Sequence, residues 1–239
     1  MKLTREERLL QLDSISNIRD LGGYETNTGS CTKPKRFLRS AVMSTISDED
    51  LAAIYDYGVR VVVDLRSDKE VETEPNRMRD YKDVKYHQVN LLNAGSVNVA
   101  PKHYSDMGDM YVNVIEDNKA QFKELFELFD QYDEECIVFH CSAGKDRTGM
   151  TAAMLLDLAG VADADIVQDY SETFENNKAI NAMLLELVSS ERRHFLLSEP
   201  EYMERFLKFV KDNYGSVREY LLSIGIEAAA IDRLQEKLG

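Results

Sequence analysis

The chain has 239 residues, 44% of them hydrophobic, enough for one large core without disulfide staples. Acidic residues outnumber basic ones 43 to 29, and the formal net charge of -14 sets the whole field against nucleic acid and anionic membrane. Three cysteines, Cys31, Cys136 and Cys141, form no disulfide framework and point to a reducing, cytoplasmic compartment. The opening "MKLTREERLLQLDS" has no apolar core region and no small-residue cleavage site, so no signal peptide is expected. The longest apolar runs, at 61–63 and 152–156, fall far short of the roughly 18 residues of a membrane span.

In chain order, 47–58 reads as a short helix, capped by Ser47 and stopped by Gly58. Residues 59–66 are β-branched and apolar on both faces up to Asp64, as in a buried strand whose polar end, Asp64 and Arg66, faces a crevice. A second strand is expected at 85–92. The segment 93–117, rich in Asn, Gly, Ser and Asp, reads as a loop near the site. At 118–132, Phe122, Leu125, Phe126 and Phe129 recur at helical spacing. A short apolar strand follows at 135–140, and a helix starts at once over 148–160. Beyond 162 the pattern is helical, with segments near 163–174, 177–197, 200–213, 215–224 and 227–238. The expected architecture is α/β, a central mostly parallel sheet flanked by helices, with an all-helical part at 162–239 inside one domain spanning 1–239. No repeat, low-complexity tract or linker interrupts it.

The chemistry concentrates in "VFHCSAGKDRTGM", 138–150, where a strand runs through a tight turn into a helix. Ligands of open α/β sheets bind at the carboxyl ends of strands, and a helix N-terminus there favours anions. The backbone N–H groups of Ser142, Ala143, Gly144, Lys145 and the two residues beyond can curl around one centre. A thiolate at Cys141 would be stabilised by the same dipoles, so a depressed thiol pKa and a nucleophile are expected. Arg147 can bring its planar fork to two oxygens of the same anion. An arginine in a helix's first turn opposes the helix dipole, and its placement there calls for an anion. Together these describe phosphoryl transfer to sulfur, which also needs an acid for the leaving oxygen: Asp146 or Asp64.

A nucleotide-binding Walker loop does not fit, because Phe139 and Asp146 stand where it needs glycine and a hydroxyl. His87, His103, His140 and His194 show no ligand spacing with the cysteines, so no metal and no cofactor is expected. Plainer readings stand beside these. Asp146 serves equally well as a helix cap, Thr148 as a helix-start residue, Lys145 as a solvated charge and Cys136 as an inert core thiol. Arg19 and Asp20 read as a structural ion pair, with Gly22 and Gly23 giving backbone freedom, and Arg192, Arg193 and His194 as a solvated basic face.

"HCSAGKDRTG" resembles the His-Cys-x5-Arg-Thr loop of the protein tyrosine phosphatase superfamily, and its "AGKDRTG" ending is similar to an atypical bacterial branch with dual-specificity and phosphoinositide activity. "NIRDLGGY" (17–24), "FLRSA" (37–41) and "DLRSDKEVETEP" (64–75) agree with that branch, so the resemblance runs from about residue 14 to about residue 180. It implies a cysteine-phosphatase fold, Cys141 as nucleophile, Arg147 as phosphate clamp, Thr148 steadying the sulfur and His140 orienting the loop. Asp146 is implied in acid/base work and Lys145 in a preference for highly charged substrates. Members of the family carry a Trp-Pro-Asp acid loop, and this chain has no tryptophan, which leaves Asp146 and Asp64 both open as the acid. The helices between 163 and 197 are placed to form a lid.

The expected function is therefore a metal-independent phosphomonoester hydrolase acting on phosphorylated proteins or phosphoinositides, without membrane insertion. Soluble inositol polyphosphates or small phosphate metabolites are the alternative substrates, and the acidic balance suits them. A catalytically silent phosphate-binding module is the reading from outside enzymology. Whether Cys31 lies near Cys141 is not legible in the sequence; if it does, a reversible disulfide between them would protect the thiolate.

Overall fold

The computed structural model describes residues 1–91, 106–187, 193 and 195–239. Among them, five strands form one sheet in the order β1-β2-β5-β3-β4: β1 Arg19–Asp20, β2 Phe37–Ser40, β3 Val59–Asp64, β4 Lys85–Gln88 and β5 Cys136–His140. Every pairing is parallel except β1 with β2. The valine-rich β3 is flanked on both sides, which is why its side chains are apolar on both faces. Register sets Asp64 and Ser40 on either side of His140, so the carboxyl ends of β2, β3 and β5 finish level. Cys141 and the turn into the next helix follow at that edge.

The helices are α1 Arg5–Arg8, α2 Asp48–Tyr57, α3 Asp68–Thr73, α4 Met107–Asp117, α5 Lys119–Gln131, α6 Asp146–Leu158, α7 Asp163–Asn176, α8 Lys178–Leu187, α9 Pro200–Tyr214, α10 Val217–Ser223 and α11 Ala228–Leu238. Strand periodicity divides the core into two layers. Phe37, Val61, Val63, Ile137 and Phe139 point to the side filled by α4 to α7 and α9 to α11, while Leu38, Val59, Val62 and Val138 meet Leu51 and Ile54 of α2. Phe129 of α5 ties the larger layer together, with ring centroids 5.1 Å from Phe37 and 5.7 Å from Phe139.

The segment read as a loop at 93–117 is corrected in its second half. Met107–Asp117 is helical, capped by the Asp106 side chain, which accepts from the Asp109 N–H, and it buries Met107, Tyr111, Val114 and Ile115 on one face. Its Asp109, Asn113 and Asp117 lie outside that stripe and hide it from a compositional reading. Residues 92–105 lie outside the described residues, as do 188–192 and 194, so of the basic cluster only Arg193 is described. The four-residue β2 went unread as a strand because two of its residues, Arg39 and Ser40, are polar yet fully buried.

The C-terminal helices α7, α9, α10 and α11 bury apolar faces in the main core. Helix α8 differs: Asn181 is its buried residue, and Ile180, Met183, Leu184 and Leu187 face outward. No helix among the described residues is long and apolar enough to cross a membrane, and no group of three metal-binding side chains occurs among them.

Candidate active site

Cys141 follows the last residue of β5 and lies 2% exposed at the floor of the turn into α6. The turn closes tightly because Gly144 adopts φ +65°, and a Cβ there would stand 2.4 Å from the Ser40 carbonyl. The N–H groups of Ser142 to Lys145 meet no acceptor among the described residues. Helix α6 begins at Asp146 with no side-chain cap at Lys145, so its positive end faces the same space.

Arg147, in the first turn of α6, meets its anion in Glu70 of α3. Its Nη1 donates to Oε2 at 2.9 Å and its Nη2 to Oε1 at 2.8 Å, a two-pronged pair. Burial works against the guanidinium charge, but Glu70 and the nearby Cys141 overcome it and raise its pKa. Burial likewise pushes the Glu70 carboxyl up, and the Arg147 hydrogen bonds and charge outweigh it, holding that carboxyl well below the usual range. Glu70 also accepts from the Ser142 hydroxyl at 2.7 Å and from the Ser67 N–H at 2.9 Å. Its position was signalled by the capping box Ser67-x-x-Glu70, although the sequence reading assigned it no role.

His140 is fully buried behind the loop. Its Nδ1 lies 2.9 Å from the Cys141 carbonyl and its Nε2 2.7 Å from the Asn76 amide nitrogen, so the tautomer that satisfies both carries its proton on Nδ1. Burial lowers its pKa and keeps the ring neutral, with Asp64 acting in the opposite sense. Asp64 is also fully buried, bonded to Arg66 through Nε at 2.9 Å and Nη2 at 2.7 Å and to the Tyr86 hydroxyl at 2.8 Å. Burial raises its pKa, and His140 and Arg66 outweigh that, leaving it below the ordinary value. Asp64 and Arg66 thus form a closed pair under the crevice.

Asp146 stands at the opening, with its side chain 26% exposed. It accepts from the Tyr111 hydroxyl at 2.5 Å and lies 3.0 Å from the Lys145 ammonium, while Tyr111 also bonds the Tyr170 hydroxyl at 2.7 Å. Tyr111 escaped the sequence reading because it lies in the stretch taken for a loop. Lys145 is not a solvated charge. It is 6% exposed, and its ammonium donates to the carbonyls of Phe195 and Leu197 at 2.9 Å each. The buried Thr148 hydroxyl has no hydrogen-bond partner among the described residues.

The expected Arg19–Asp20 pair is absent. Arg19 pairs with Asp169 of α7, Nε to Oδ1 at 2.8 Å, whereas Asp20 accepts from the N–H groups of Gly22 and Lys35 and from the Tyr57 hydroxyl. Asp169 binds Arg39 as well. An acid inside the apolar stripe of Ile166, Val167 and Tyr170 was the available signal for such a buried ion. Cys31 bridges Glu25 beside the Thr26–Val161 contact at the far end of α6, on the order of 20 Å of helix from Cys141. All three thiols are free. Burial, the largest influence on Cys136, pushes its thiol up to about 12.

The model of the tyrosine phosphatase family matches residues 10–239. A tyrosine-protein phosphatase of Nostoc commune is 30% identical over 225 residues, 85% of this chain and 74% of that protein. The triple specificity protein phosphatase PtpB of Mycobacterium tuberculosis is 24% identical over 271 residues, 94% of this chain and 97% of that protein. Among solved structures, P. aeruginosa TpbA aligns at TM-score 0.37 and 14% identity, over 80% of this chain and 88% of that one. With the family model covering nearly its whole length, the chain belongs to the tyrosine phosphatase family and is a cysteine-dependent phosphatase.

Proposed function

We propose that this protein hydrolyses phosphomonoesters through a cysteinyl-phosphate at Cys141. The observation that carries the reading is one juxtaposition: a buried cysteine opens a tight turn whose N–H groups, Ser142 to Lys145, meet no acceptor among the described residues, and Arg147 stands in the first turn of the helix that follows. The thiolate attacks phosphorus, an S–P bond forms, and the P–O bond to the leaving group breaks as its oxygen takes a proton from the Asp146 carboxyl, leaving a carboxylate. Ser142 to Lys145 and Arg147 hold the three remaining oxygens. Water then attacks phosphorus, gives its proton to the same carboxylate, and the S–P bond breaks to release phosphate and restore the thiolate.

Asp146 is the acid in this scheme, because it stands at the opening while Asp64 is committed to Arg66 and Tyr86. Thr148, with its hydroxyl unengaged, donates to the sulfur, and neutral His140 fixes the Cys141 carbonyl. Lys145 is occupied by two carbonyls and Asp146, so a highly charged phosphoinositide must draw it away, whereas a phosphotyrosine-type group needs no such release. That favours phosphorylated protein as substrate, with phosphoinositide as a second. The mycobacterial relative is named a protein phosphatase, which accords with a protein substrate. Soluble inositol polyphosphates remain the reading favoured by the net charge of -14. Of the C-terminal helices, α8 is the peripheral one, and any lid role falls to it.

The test is phosphate release, in the presence of a chelator, from a phosphotyrosine peptide, a phosphoserine peptide, phosphoinositides and an inositol polyphosphate. Turnover is expected to survive chelation, to vanish in Cys141→Ser, and to fall about 10² to 10⁴-fold in Asp146→Asn. A Cys141→Ser variant that still turns over overturns the mechanism, and wild type that binds phosphate without hydrolysing any of these substrates points to the silent module.

A further inference from the structure

An anion cradle works only if its N–H groups face inward, and a trans peptide points its carbonyl the opposite way from the N–H that follows. Every inward N–H therefore implies an outward carbonyl that needs a donor of its own. From His140 to Ser142 these donors come from the immediate surroundings: Leu65 N–H to the His140 carbonyl at 2.8 Å, His140 Nδ1 to the Cys141 carbonyl at 2.9 Å, Val42 N–H to the Ser142 carbonyl at 2.9 Å.

At Ala143 and Gly144 the donors are side chains from three distant stretches. The Asn177 amide donates to the Ala143 carbonyl at 2.8 Å, and the Asn17 amide reaches both Ala143 at 3.1 Å and Gly144 at 3.0 Å. Arg39 Nη2 donates to Gly144 at 2.8 Å. Each donor is fixed from behind. Arg19 donates to the Asn17 side-chain oxygen and so turns its amide nitrogen to the loop, Ser16 does the same to Asn177 at 2.8 Å, and Asp169 holds Arg19 and Arg39 together. Asn17 keeps this place in the left-handed region, at φ +60°, which asparagine tolerates better than most side chains.

We infer that Asn17, Arg39 and Asn177 are positioning residues of the phosphate loop: by holding the Ala143 and Gly144 carbonyls outward, they keep the Gly144 and Lys145 N–H groups aimed at the anion. The inference rests on the phosphate-binding role proposed for the loop. It gives a function to the "NIRDLGG" and "FLRSA" stretches, whose charged residues otherwise contact no substrate position. A flip of either peptide would turn a carbonyl into the cradle and repel the phosphate.

The test replaces donor by acceptor without changing shape. Asn17→Asp keeps the oxygen that Arg19 holds, and Asn177→Asp keeps the oxygen that Ser16 holds, but neither can donate to the loop. Binding of inorganic phosphate to the full chain is measured by calorimetry, alongside alkylation of Cys141 by iodoacetate and the melting temperature. Each variant is expected to bind phosphate about tenfold more weakly and to alkylate more slowly, with its melting temperature within a few degrees of wild type. Lys178→Gln, which shifts net charge by the same amount on an exposed neighbour, is expected to bind phosphate as wild type does. If a carboxylate variant fails to fold, Asn177→Ser is measured in its place. Folded variants that bind phosphate as tightly as wild type, or an equal loss in Lys178→Gln, overturn the inference. Turnover in wild type against Cys141→Ser decides the hydrolase reading separately, since phosphate binding is measured without substrate.

Discussion

Glu70 occupies the donors assigned to phosphate in the proposed mechanism, bonding both outer nitrogens of Arg147 and the Ser142 hydroxyl. An incoming phosphate competes with this internal carboxylate. Glu70→Gln removes a charge-assisted pair, and inorganic phosphate is expected to inhibit the variant at about tenfold lower concentration, with kcat reduced because product leaves more slowly. Weaker inhibition would mean that Glu70 serves only to orient the arginine. The Tyr111 hydroxyl donates to Asp146, beside the Lys145 ammonium. Burial, the largest influence, and the Asp146 charge keep Tyr111 protonated by raising its pKa well above the ordinary value. Tyr111→Phe is expected to lower kcat about tenfold on alkyl phosphates, with little change in KM, and to matter less for aryl phosphates with good leaving groups. An equal loss on both substrate types would assign Tyr111 to packing alone.

In helix α7, Asp169 neutralises two fully buried arginines from β1 and β2. Burial would raise its carboxyl, but Arg19 and Arg39 hold it well below the usual carboxylate range. The folded state therefore binds this proton more weakly than the unfolded chain, so the stability it contributes is full above the ordinary carboxylate pKa and is lost as pH falls below about 4. Denaturant titrations at a series of acid pH values should show the decline. Asp169→Asn should lose that part of the slope and about 3 to 5 kcal/mol at neutral pH, because two arginines are left without their counter-charge.

This element also shows what a single sequence can and cannot tell. The β5-turn-α6 unit was legible because its pattern is local: an apolar strand, a glycine that no other residue can replace, and a helix start. The valine-rich β3 and most C-terminal helices were legible for the same reason. Strand β2 and the true partner of Arg19 were not, since Arg39 and Arg19 are neutralised by an acid 130 and 150 residues away. A buried charge looks exposed until its partner is known. The plain reading of Lys145 as a solvated charge fails in the same way, its acceptors being main-chain carbonyls that carry no residue signature.

At the scale of the whole molecule, the net charge of -14 surrounds a site built for anions. Distant carboxylates repel an approaching phosphate through solvent, whereas the loop's N–H groups act only at contact. Raising ionic strength from low salt is therefore expected to increase kcat/KM for a multiply charged substrate, and less so for a singly phosphorylated peptide bearing basic residues. A fall with salt for both would place a positive steering field at the crevice.

Helix α6 carries the site at its first turn and buries nearly all the residues behind it, from Met150 to Leu158, in the main core. Its sequence is accordingly constrained twice, once by chemistry and once by packing. Directed evolution aimed at new substrates would find few acceptable changes there. The freer positions are on α8 and at Phe195, whose carbonyl meets Lys145: Ile180, Met183, Leu187 and Phe195 are already exposed and can be exchanged at small structural cost.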